Sequence, residues 1–113
     1  MDMANIDKAK ERFEILQTGE CSQTAVVTLS PSDSSGAKVE AHEKSDQVLF
    51  MLEGELNGEV GYEYPSLRKG DVNIISAGVK HCFTNRSGGP VVTFNVYSPP
   101  EYPAGTKSYA IPL

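Results

Sequence analysis

The chain holds two histidines, and each stands inside a short glycine-bounded segment laid out on one plan. The first segment, GAKVEAHEKSDQVLFMLEG, runs from Gly36 to Gly54 and carries His42. The second, GDVNIISAGVKHCFTN, runs from Gly70 to Asn85 and carries His81. Five residues separate Gly36 from His42, and a polar HEKSDQ run then leads into an apolar stretch that ends at Gly54. In the second segment Gly70-Asp71 opens a strand, a Ser-Ala-Gly turn follows, and His81 heads a further strand ending at Asn85. Imidazole is the common ligand for zinc, copper, iron and nickel, so two histidines brought to one place make a candidate metal site. If 38–44 is extended, residues 40, 42 and 44 share a face, which would place Glu40 and Lys44 inside with His42 and leave Glu43 outside. An amine held there is a candidate ligand or base, or a Schiff-base amine if the substrate is a carbonyl compound. The same alternation turns Cys82 away from His81.

These residues need strands to position them, and the chain supplies them. At 113 residues it is long enough for one domain, 1–113, with roughly two thirds of its unfolded surface buried. Ten glycines and seven prolines favour many short strands over long helices. CSQTAVVTLS alternates as a strand, and 38–44 is expected to be extended. Further strands are expected at 48–52, 72–75, 80–84 and 91–97, with a hairpin of 55–60 and 64–68 around Gly61. Asn5 or Asp7 is placed to cap a short helix through Ala9, Arg12 and Phe13. Asn85 reads as a turn residue and Asp46 as a turn residue or a partner behind a metal ligand, while Phe50, Phe83, Phe94 and Tyr97 are candidates for core or pocket lining. The tail carries prolines at 99, 100, 103 and 112, which cannot donate to a ladder, so it should wrap the barrel or reach a partner subunit. Strands at this spacing mean a sandwich or barrel.

Composition bounds the partners. A net charge of −5, with no basic run longer than Arg68-Lys69, argues against nucleic acid or an anionic membrane. No apolar stretch approaches spanning length, and MDMANIDKAKERFEIL lacks the apolar region of a signal peptide. The expected location is the cytoplasm, where Cys21 and Cys82 would be thiols.

The two segments resemble the paired motifs of the cupin superfamily, G-x5-H-x-H-x(3,4)-E-x6-G and G-x5-P-x-G-x2-H-x3-N. Gly36, His42, Gly54, Gly70, Gly78, His81 and Asn85 fall on the family's positions. The 15 residues between Gly54 and Gly70 are similar to the spacer of small single-domain cupins, the conserved β-barrel of cupin type 2. The resemblance implies an all-β, single-domain double-stranded β-helix, or jelly roll, with a short N-terminal helical or extended arm. It also implies that His42 and His81 meet across the barrel. The departures bear on the activity. The second histidine of the pair is Lys44, the glutamate position counted back from Gly54 is Gln47, the spacer between them is one residue shorter, and the proline is Ser76.

The ligand set the resemblance leaves is His42, Gln47 and His81, three neutral donors. A divalent ion such as Zn, Ni, Mn or Fe would be held less tightly than by a set containing a carboxylate. Its uncompensated charge would favour a small anionic molecule. Three readings stay open: a metal-binding small-molecule module, which we favour; a metal-dependent enzyme of dioxygenase, isomerase or lyase type; and a metal-free cupin in which the histidines are hydrogen-bonded pocket residues serving a structural or interaction role. Edge strands that need cover, with arms at both ends, predict a homodimer, as is common in the family.

Overall fold

A computed structural model describes residues 1–35, 40–103 and 106. Among the described residues the expected alternation becomes eight antiparallel strands: β1 (Phe13–Thr18), β2 (Gln23–Leu29), β3 (Asp46–Glu53), β4 (Glu55–Val60), β5 (Ser66–Arg68), β6 (Val72–Ile75), β7 (His81–Thr84) and β8 (Val91–Ser98). They form a five-stranded sheet in the order β1-β2-β8-β3-β6 and a three-stranded sheet in the order β5-β4-β7. The two sheets close into the jelly-roll barrel, with the core between them.

Side-chain alternation decides what enters that core. From β3, residues 47, 49 and 51 are buried; from β8, residues 91, 93, 95 and 97 are buried. Phe13, Leu29, Met51, Leu56 and Val91 make the apolar part, each at most 2% exposed. Of the four aromatic candidates, Phe83 and Tyr97 point inward, at 3% and 0% exposed. Phe50 and Phe94, paired directly across β3 and β8, lie on the outer face. β3 is bonded on both sides, so Gln47 is held between Ile75 of β6 and Tyr97 of β8.

Two expectations change. The N-terminal helix shrinks to one 3-10 turn, Ile6–Lys8, capped by the Asn5 side chain accepting from Asp7 N at 2.9 Å. Phe13–Thr18 is instead strand β1, because a helix this short gains little alone, whereas pairing with β2 buries Phe13 completely. The second change concerns 38–44. Residues 36–39, Gly36 among them, lie outside the described residues, and Glu40 makes only a bridge to His81 before the chain bends at Glu43 and Lys44.

Asn85 fixes a turn, as its position suggested. It is fully buried; its Nδ2 donates to Leu29 O at 3.0 Å and Gly89 O at 2.8 Å, and its Oδ1 accepts from Ser87 N at 3.0 Å. Asn85→Ala strands these backbone groups and should cost about 2–4 kcal/mol, read as a fall in melting temperature on the order of 10 °C. An unchanged melt would show that water replaces the side chain.

Candidate functional site

The backbone brings the two histidines together. Glu40 N donates to His81 O at 3.1 Å, His81 N donates to Glu40 O at 2.8 Å, and Gly78 N donates to His42 O at 2.8 Å. The first motif is thereby stitched onto the strand and turn of the second. The imidazoles lie with ring centres 5.0 Å apart, tilted by 53°. Both are buried, His42 at 8% and His81 at 4% exposed.

Each ring is held from behind through Nδ1. His81 Nδ1 lies 3.0 Å from Val79 O, and His42 Nδ1 lies 3.2 Å from Glu101 Oε2. His42 Nε2 is buried with no hydrogen-bond partner. Gln47 is 3% exposed; its Nε2 donates to Asn95 Oδ1 at 2.9 Å, while its Oε1 has no partner. Asn95 Nδ2 in turn donates to Thr93 Oγ1 at 2.9 Å. Gln47, Asn95 and Thr93 line an interior cavity of about 20 Å³ with Ser35, Leu56 and Phe83, room for roughly one water molecule.

Lys44 is not among them. Strict alternation places it on the interior face with His42, but it is exposed, and so is Glu40. Alternation holds only along a regular strand. Here the chain bends at residues 43 and 44, and Ser45 is the next residue buried, at 2% exposed. Cys82 does turn away from the histidines, with its Sγ 3.6 Å from Ser34 Oγ and 3.8 Å from Ser35 Oγ.

Three residues that the sequence did not single out complete the site. Glu101 reaches His42 from the tail, Tyr102 packs edge-on to His42, and Gln23 of β2 anchors both. The Tyr102 ring stands edge-on to Phe13 at 5.2 Å, Tyr97 at 5.4 Å and His42 at 6.0 Å between ring centres, and Tyr97 stands edge-on to His42 at 5.3 Å. Burial first, then the Tyr102 and Glu101 charges, hold the Tyr97 phenol well above its ordinary range. Burial and then Glu101 raise Tyr102 as well. Both therefore stay neutral at physiological pH and present O–H groups. Tyr102 is near enough to influence Tyr97, yet no hydrogen bond of ordinary length ends on the buried Tyr97 hydroxyl. The only hint available beforehand was a tail carrying an acid and an aromatic between prolines.

Among the described residues, no cluster of three or more His, Cys, Asp or Glu is arranged to hold a metal ion. None of their helices is long and apolar enough to cross a membrane.

Residues 25–97 match the family profile described as the Cupin domain. No curated protein matches the chain in sequence. Among solved structures, the BH2720 protein of Bacillus halodurans superposes with a TM-score of 0.81 at 24% identity, over 88% of this chain and 79% of that one. The TT1209 protein of Thermus thermophilus superposes at 0.76 with 27% identity, over 88% and 98%. A sugar phosphate isomerase from a cupin superfamily, from Silicibacter pomeroyi, superposes at 0.64 with 21% identity, over 77% and 59%.

Proposed function

The chain belongs to the cupin family, and from that premise we propose that it is a small-molecule-binding module holding a divalent metal ion on His42, His81 and Gln47. The carrying observation is two buried atoms without partners, His42 Nε2 and Gln47 Oε1, together with two imidazoles whose centres lie 5.0 Å apart and which are each anchored at Nδ1. Buried polar atoms are nearly always paired, so an orphan asks what normally meets it. With metal–nitrogen distances of about 2 Å, two imidazoles on one ion place their ring centres about 4.5–5.2 Å apart at octahedral to tetrahedral angles. The observed 5.0 Å fits that range. Because Gln47 commits its amide nitrogen to Asn95, the oxygen is the atom left to donate.

A bound ion would act as a Lewis acid toward a carboxylate or carbonyl oxygen of the ligand. His42 and His81 would hold it, with the Tyr97 and Tyr102 rings packed edge-on to His42. The cavity that Gln47 lines has room for roughly one water molecule, so a larger ligand would have to bind elsewhere around the histidines. We place Zn, Ni, Mn and Fe(II) as candidates. The exposure of Lys44, the base considered for an enzyme, favours binding over turnover. The sugar phosphate isomerase among the neighbours acts, by its name, on an anionic small molecule, which agrees with an anionic ligand here.

Calorimetric titration and elemental analysis of protein carrying no histidine tag test this reading. His42→Ala and His81→Ala should each weaken metal binding by more than the roughly 10–100-fold that loss of an outer partner costs. A wild-type chain that takes up none of the four metals would leave the metal-free cupin as the reading.

We also propose that a second copy of the chain covers the outer face of β6. That edge strand exposes Val72 at 57% and Ile74 at 70%, next to Phe50 at 36%. An unpaired apolar edge invites pairing, and a two-fold axis lets the same edge cover itself. Light scattering should report a dimer that Ile74→Lys dissociates; a wild-type monomer at high micromolar concentration would rule it out.

A further inference from the structure

We propose that Glu101 is a positioning residue for His42, holding its ring in the Nδ1–H tautomer so that the Nε2 lone pair faces into the barrel. In consequence, and resting on the metal reading above, the tail supplies the negative charge that the neutral Gln47 does not.

The first step is chemical. A carboxylate only accepts hydrogen bonds, so the His42 nitrogen 3.2 Å from Glu101 Oε2 must be the protonated one. In the neutral ring the other nitrogen, Nε2, then carries the lone pair. That is the atom found buried and without a partner. His81 is held on the same principle, its Nδ1 facing the Val79 carbonyl at 3.0 Å. A carboxylate behind one ring and a carbonyl behind the other is the outer arrangement that orients histidine toward a metal and raises its basicity.

The second step is that Glu101 is placed there by a built device. Gln23 is 1% exposed, and its side chain is spent on the tail and on one neighbour. Its Oε1 accepts from Glu101 N at 3.2 Å and Tyr102 N at 3.1 Å, while its Nε2 donates to Tyr102 O at 2.7 Å and Thr18 Oγ1 at 2.9 Å. Burying an amide is costly unless its bonds are made, and here three of the four go to the backbone of residues 101 and 102. The Tyr102 ring packed on Phe13 and Tyr97 closes the clasp. A carboxylate on a fraying terminus would not be held in this way.

The third step is electrostatic. Position 47 carries an amide bound to Asn95, so no inner group offsets a divalent charge. Glu101 offsets it through the imidazole instead, which would leave a net charge suited to a monoanionic ligand.

Nitrogen-15 spectra of the metal-free protein, at a pH where the rings are neutral, read the tautomer without any metal. Wild-type His42 should show protonated Nδ1, and Glu101→Ala should move it toward the Nε2–H form. Glu101→Gln keeps an acceptor and should keep the tautomer, while weakening zinc binding about 10-fold or more; Glu101→Ala should reach toward 100-fold. Gln47→Glu should gain more affinity in the Glu101→Gln background than in the wild type, a coupling that two independent effects would not show. Wild-type His42 found in the Nε2–H form, or a tautomer indifferent to Glu101→Ala, overturns the proposal. Should the wild type show Nδ1–H yet bind no zinc, the positioning role stands and the metal reading falls.

Discussion

Gly54→Ala should cost this fold about 3–5 kcal/mol, a large share of the roughly 5–15 kcal/mol typical of a domain. Gly54 joins β3 to β4 and so carries the chain from one sheet to the other. Its φ of +87° is strained for a residue with a Cβ. An added methyl would also stand 2.4 Å from Pro90 O and 3.2 Å from Val91 Cα, backbone atoms at the start of β8 that cannot step aside. Gly70 is the control. It has φ +93°, but nothing lies within 4 Å of its Cβ position, so Gly70→Ala should cost only the conformational part, about 1–2 kcal/mol. Denaturant unfolding of both variants checks the difference. Equal losses would mean that β8 gives way at Pro90.

Gln47→Glu should have opposite effects with and without metal. In metal-free protein the carboxylate loses the bond that the Gln47 amide gives to Asn95 Oδ1 and faces that oxygen instead. Asn95 has limited freedom to turn round, since its own Nδ2 is engaged with Thr93. At 3% exposure the charge has little access to water. A loss of about 2–4 kcal/mol is expected, as for other buried polar groups left unpaired. With a divalent ion present, the same carboxylate becomes a charge-assisted ligand, roughly twice as strong as a neutral contact. Metal affinity should rise at least about tenfold, and the melting temperature should recover as metal is added. Thermal melts and calorimetry with Zn, Ni, Mn and Fe(II) decide between the readings. A lower melting temperature with unchanged metal affinity would mean that Gln47 does not face the ion.

Much of this was legible before any coordinates. Alternation in QTAVVTL and VVTFNVYS marks which residues face the core, because a strand turns successive side chains to opposite faces. Gly54, Gly61, Gly70 and Gly78 all take positive φ, so glycine at the turns was a local necessity. The family spacing brought His42, Gln47 and His81 forward as a set, and the fold places all three in the interior. What the residues determine by themselves is therefore local: strand faces, turns and motif spacing.

The rest depended on partners far along the chain. Phe13–Thr18 became a strand because β2 was there to pair with it, and no preference within FEILQT announces that partner. Lys44 left the interior because the first motif is bound to β7 at Glu40 and to Gly78 at His42, so the chain bends after the histidine where alternation would have run on. Glu101 and Tyr102 came to the histidines because Gln23, in a strand near the other end of the chain, holds their backbone. Contacts of that kind are set by which segments close on one another in three dimensions. Spacing within a motif carries no information about them, so the charge behind His42 was visible only in the tertiary structure.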